Sequence, residues 1–111
     1  MNFADLAKLK DMMGQARQMK EEMDQKLAAT VVEASSGGGV VHVRMNGKKE
    51  VLRLKIDPAA MGSTPADLEL LEDLIAAAVN EAGRRADAAQ QAAMSGMLGG
   101  LGMPAGLQGM F

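Results

Sequence analysis

The sequence predicts an α+β fold: a long N-terminal helix, a three-stranded antiparallel meander, a short linker, a long C-terminal helix and a flexible tail. Three observations carry this. Apolar residues recur at helical spacing over the first 29 positions, the pattern switches to alternation between 30 and 56, and a second helical period opens at Thr64-Pro65.

The first helix is expected over Phe3–Ala29. Leu9, Met12, Met13, Ala16, Met19, Met23 and Leu27 fall on one stripe, and Lys8, Lys10, Asp11, Arg17, Glu21, Glu22, Asp24 and Lys26 fill the other faces. Gly14 weakens this helix by about 1 kcal/mol without breaking the period. A first strand is expected at 30–34, ended by Ser35-Ser36 and three glycines. A second follows at 40–45, with Val41, Val43 and Met45 on its core face. Asn46-Gly47 suits a type I′ turn, which needs positive φ at both central residues. A third strand is expected at 48–56, with Leu52, Leu54 and Ile56 facing the core and Val51, Arg53 and Lys55 opposite, until Asp57-Pro58 stops the ladder.

The second helix starts from Thr64 as N-cap, with Pro65 at its first position and Asp67 placed to complete a capping box. Its buried stripe is Leu68, Leu71, Ile75, Ala78, Ala82, Ala86, Ala89 and Ala93. Because that stripe shrinks to alanine, its C-terminal half is expected to pack against a helix rather than the sheet. Residues 1–95 then form one domain. Residues 96–111 form a Gly/Met/Leu-rich tail without charge or period.

At 1.5 Å per residue the helices come to roughly 36 and 45 Å, whereas strands of seven residues span roughly 23 Å. Parts of both helices must overhang the sheet. An overhanging apolar stripe and two open strand edges both call for a partner, and a homodimer with projecting arms satisfies both.

Composition narrows the chemistry. The 111 residues include no cysteine, one histidine, eleven methionines, two phenylalanines and no other aromatic residue. Disulfides and thiol chemistry are excluded, and a cytoplasmic chain without a membrane span is expected. His42 lies on the polar face of a strand with no Cys or Ser partner pattern. The acidic groups at Glu21, Glu22, Asp24 and at Glu69, Glu72, Asp73 are explained by solvated faces and by the helix dipole. The triple glycine lacks the Lys-Ser/Thr of a phosphate loop. No catalytic residue, metal site or cofactor is expected; the protein binds rather than catalyses.

The formal net charge is −2, from 12 basic and 14 acidic residues, so any nucleic-acid surface must come from distribution. Residues 40–56 carry five bases against one acid. Arg44, Lys49, Arg53 and Lys55 are expected to share the face away from the core. Either phosphate contact or plain surface solubility accounts for them. Arg84 falls opposite the buried stripe of the second helix with Arg85 on its flank, and Lys10 and Arg17 share a flank of the first. Stacking aromatics and base-reading motifs are absent, so contact with nucleic acid would be directed at the backbone.

The ordered motifs Gln15-Ala16-Arg17-Gln18-Met19, Ser36-Gly37-Gly38-Gly39-Val40-Val41-His42-Val43, Asn46-Gly47, Ile56-Asp57-Pro58 and the run from Leu71 through Arg85 resemble the YbaB/EbfC family of bacterial nucleoid-associated proteins. The tail, with Gly102-Met103-Pro104-Ala105-Gly106 and Met110-Phe111, fits as well. The resemblance implies a cytoplasmic, nucleoid-localised homodimer, tweezer-like in shape, whose helical arms bind double-stranded DNA. It further implies effects on gene expression, nucleoid organisation or recombination and repair, with recombination or replication proteins as partners. Carried over by position, Arg17, Arg84 and Arg85 would contact DNA, with Lys10 and Lys20 as additions; Arg44 and Arg53 join them from the strand patch. The rival reading is a protein-interaction scaffold acting through the Met-rich helix and the apolar tail.

Overall fold

The computed structural model describes residues 2–100. Helix α1 spans Phe3–Ala29, strands β1, β2 and β3 span Val31–Ser36, Val41–Asn46 and Val51–Ile56, and a 3-10 turn at Pro58–Ala60 leads to helix α2, Pro65–Gly100. The three strands pair antiparallel in the order β1-β2-β3.

Local chemistry sets the helix ends. The Asn2 side chain accepts from the Asp5 amide at the start of α1, and the Thr30 hydroxyl donates to the Lys26 carbonyl at its end. At α2 the capping box is complete: Asp67 N–H donates to Thr64 Oγ1, while the Thr64 amide and hydroxyl both donate to the Asp67 carboxylate. The Asp57 side chain similarly caps the 3-10 turn by accepting from the Ala59 amide.

The core is a two-layer contact between α2 and the β1–β2 half of the sheet. Ala34, Val41, Val43 and Met45 meet Ala78, Ala82 and Ala86, all buried, with Val32, Val40, Ile56, Leu71, Leu74, Ile75 and Val79 packed around them. Ala82 and Ala86 therefore face the sheet, contrary to the expectation that the alanine half of α2 meets a helix. A methyl-lined stripe lets α2 settle close onto strands whose β-branched valines already fill the space. Only farther along does α2 meet α1, where Ala93 and Met97 lie beside Glu22, Met23 and Lys26. Leu68, expected on the buried stripe, is exposed at the start of α2.

Several boundaries differ from expectation for non-local reasons. β1 continues through Ser36 because the Ser36 hydroxyl donates to the Leu74 carbonyl of α2 at 2.6 Å, so the serines pair in the ladder. The following turn uses Gly37, Gly38 and Gly39, all at positive φ. The second hairpin is not a two-residue type I′ turn. Its left-handed residue is Lys49, at φ 66°, and β3 begins only at Val51. Asn46 closes this longer loop, its side-chain oxygen accepting from the amides of Lys48 and Glu50. Gly47 serves a different need: a Cβ there would lie 2.9 Å from the Leu27 carbonyl oxygen.

β3 also carries a register shift opposite Arg44 and Met45. Val51 pairs with Met45 and Arg53 with Arg44, which leaves Leu52 without an opposite residue. Cross-strand partners share a face, so Val51 joins Leu54 and Ile56 on the helix-facing side, where Leu52 had been expected. Lys49 likewise leaves the outer face and pairs with Asp87 on α2 at 3.3 Å. Finally, α2 continues to Gly100, so residues 96–100, expected in the tail, are helical; residues 101–111 lie outside the described residues.

The extents of 72 × 29 × 20 Å reflect the overhang. Leu27 is the buried residue of α1 and Met19 and Met23 are half-buried, whereas Leu9, Met12 and Met13, expected in the buried stripe, are exposed. No described helix is long and apolar enough to cross a membrane.

Candidate nucleic-acid interface

The seven expected contact residues are distributed over three elements: Lys10, Arg17 and Lys20 on α1, Arg84 and Arg85 on α2, and Arg44 and Arg53 on the outer sheet face. All seven are exposed.

On α1, Lys10 and Arg17 stand seven residues apart, two turns or about 10 Å along one flank, with Lys20 one turn farther. The helix that holds them follows from its sequence: between Phe3 and Ala29 no β-branched residue interrupts the run, and Asn2 caps it. Because α1 is exposed on all sides from its start to residue 18, Lys10 and Arg17 project from an element surrounded by solvent, and Lys20 is exposed beside half-buried Met19.

On α2 the pair is engaged. Arg84 donates from Nε and Nη2 to Glu81 Oε2 at 2.9 and 2.7 Å. Arg85 Nε lies 3.4 Å from Glu81 Oε1, and its Nη1 donates to the Glu33 carbonyl on β1. Glu81 thus serves two guanidinium groups, and their hydrogen bonds and charge, from Arg84 first, hold its carboxyl below the usual range. Arg85 also ties α2 to the outer strand of the sheet, so its removal would disturb the fold as well as any ligand contact.

On the sheet, Arg44 and Arg53 are cross-strand partners, as are His42 and Lys55. Glu33 on β1 faces them, 3.4 Å from Arg44 Nε and 3.9 Å from His42 Nε2. Three of the four expected bases therefore share this face, together with one acid. Among the described residues, no group of three or more His, Cys, Asp or Glu side chains could hold a metal ion.

The carboxylates paired with Arg44, Lys49, Arg84 and Arg85 were not singled out from the sequence. Glu81 carries a readable signal, because its spacing of three and four from Arg84 and Arg85 puts all three on neighbouring turns. Glu33 and Asp87 carry none, since each meets its base only after the strands and α2 are assembled.

The described geometry can be set beside known proteins. A model of the YbaB/EbfC DNA-binding family matches residues 5–101. A nucleoid-associated protein of Acidobacterium capsulatum is 61% identical over 104 residues, covering 90% of this chain and 95% of the relative. A nucleoid-associated protein of Koribacter versatilis is 52% identical over 96 residues, covering 86% and 93%. The crystal structure of an uncharacterized protein from Helicobacter pylori matches with a TM-score of 0.66 at 26% identity, covering 88% of this chain and 98% of that one. Since the family match takes in both helices and the whole sheet, the chain belongs to the YbaB/EbfC DNA-binding family.

Proposed function

We propose that this protein binds double-stranded DNA as a homodimer, gripping the phosphate backbone with its helical arms. The observation that carries the reading, together with family membership, is the exposure of α1 from its start to Lys20, Met19 alone being half-buried, which presents Lys10, Arg17 and Lys20 to solvent. Cations on such an arm displace counterions from DNA phosphates, so affinity falls steeply with salt and carries little sequence information. Arg84 and Arg85 add contacts once phosphate displaces Glu81, and Arg44 and Arg53 add weaker ones.

Dimerisation has a physical motive at β3. Helix α2 lies over β1 and β2, and β3 is an edge strand whose Val51, Leu52 and Leu54 are 49%, 52% and 42% exposed. A second copy covers both the open ladder and its apolar side chains. In the cell this activity would place the protein in the nucleoid, where coating DNA influences its organisation, gene expression or recombination and repair, beside recombination or replication proteins.

Titration of labelled duplex DNA at several salt concentrations tests the reading. Binding is expected at low salt, with Arg17→Ala weakening it and reducing the salt slope by about one unit. No binding at low salt, or binding indifferent to Arg17→Ala and Arg84→Ala, overturns it. A second reading, a protein-interaction scaffold, draws on the exposed Met12 and Met13 of α1; a duplex that fails to bind while a protein ligand protects those methionines would favour it.

A further inference from the structure

The open edge of β3 carries enough detail to fix how a second copy sits on it. Backbone directions follow from hydrogen bonds at its two ends. The Asn46 amide donates to the Glu50 carbonyl and the Asp57 amide to the Val40 carbonyl, so residues 50 and 57 turn their polar groups toward β2. Alternation then turns Val51 from one end, and Ile56 and Leu54 from the other, toward the open edge. The register shift reconciles the two counts: Val51 and Leu54 both point outward, with two residues between them where a regular strand has one.

The side-chain faces are equally determined. Val51 and Leu54 lie on the helix side, 49% and 42% exposed, where a hollow of about 310 Å³ is lined by Met45, Val51 and Val79 among others. Glu50 lies on the outer face with Arg53 and Lys55, because its carboxylate accepts from the Asn46 side-chain amide at 2.9 Å. Among the described residues neither Glu50 nor Lys55 has an ion-pair partner in its own chain.

Two copies of β3 can pair antiparallel about a two-fold axis in few ways. An axis at Arg53 sets Val51 against the partner's Lys55, which lies on the opposite face. An axis at Lys55 opposes two ammonium groups and leaves Val51 uncovered. We propose that the axis falls between Leu52 and Arg53, so that Glu50 faces the partner's Lys55, Val51 the partner's Leu54 and Leu52 the partner's Arg53. The outward backbone groups of Val51 then meet those of the partner's Leu54, bulge lies against bulge, and two ion pairs close the ends. The resulting six-stranded sheet carries Arg44 and Arg53 of both copies on one outer face, so a phosphate surface there is complete only in the pair. This register rests on the homodimer reading and specifies its interface.

Cysteine crosslinking tests it, since the chain has no cysteine of its own. Glu50 and the partner's Lys55 would lie about 4.5 Å apart at Cα, within disulfide range, whereas positions 50 and 55 of one chain are roughly 13–16 Å apart. After oxidation, Glu50→Cys/Lys55→Cys should form covalent dimers several-fold more than either single variant. Sedimentation of the unmodified chain reports separately whether any dimer exists. Lys55→Cys crosslinking as readily by itself overturns the register, and so does a sedimenting dimer that never crosslinks; a monomeric unmodified chain overturns the homodimer reading too. As a second check, Glu50→Lys should weaken dimerisation at least ten-fold, and adding Lys55→Glu should restore most of it, because the exchanged charges still face each other. No restoration overturns the pairing.

Discussion

Replacing Gly47 by alanine isolates one contact that holds the helical arm to the sheet. Gly47 lies outside the left-handed region, so alanine can adopt its backbone conformation. In an open site the change would stabilise the protein by about 0.4–1 kcal/mol through the unfolded state. Here the new Cβ would stand 2.9 Å from both the Leu27 carbonyl oxygen and Cδ2, and 3.2 Å from Leu27 Cα. Two of those atoms are backbone and cannot rotate away. Relieving the overlap must lengthen the bonds from Gly47 N–H to the Leu27 and Thr30 carbonyls, now 2.8 and 2.9 Å. Overpacking of this kind costs about 1–3 kcal/mol and a weakened hydrogen bond about 1 kcal/mol more. The clash outweighs the entropic gain, and a net loss of about 1–3 kcal/mol is expected. In a domain of this size each kcal/mol lowers Tm by about 4–8 °C. Urea unfolding by far-UV circular dichroism, at fixed protein concentration to allow for the proposed dimer, measures it. An unchanged or raised stability would refute the reasoning, since it would mean that the end of α1 can give way freely.

The same substitution should act oppositely at Gly83. There a Cβ meets only the flexible end of Lys49, 3.5 Å away at Cε, so Gly83→Ala should stabilise α2 by about 1 kcal/mol in the same unfolding assay. The Thr64 hydroxyl and amide hold the Asp67 carboxyl below its ordinary value. Its stabilisation of the α2 N-terminus is therefore complete above the unfolded-state pKa and is lost as pH falls through the lower folded value. Asp67→Asn should flatten that acid limb, read as hydrogen exchange in the first turn of α2 against pH. Glu81→Gln removes the anion that neutralises Arg84 and Arg85, and should tighten duplex binding at low salt; weaker binding would show that Glu81 positions those arginines rather than competing for them.

What the sequence alone determined is local. α1, the core face of β2 and the start of α2 follow from the spacing of apolar side chains and from caps acting within four residues, as at Asn2 and Thr64. That Lys10 and Arg17 share a flank of α1 was legible for the same reason, because helical period places them together whatever else folds. The family was legible too, from motifs that are ordered along the chain. Tertiary structure decided the rest. It extended β1 through Ser36 by a bond to Leu74, 38 residues away. It assigned Gly47 to a close approach by Leu27 rather than to a tight turn. It moved Val51 to the helix side through a shift in strand register, and it bound Arg85 to the backbone of Glu33. In each case the deciding partner is remote in sequence. Periodicity reports which face a side chain occupies, whereas the neighbour waiting on that face exists only after the chain has closed on itself.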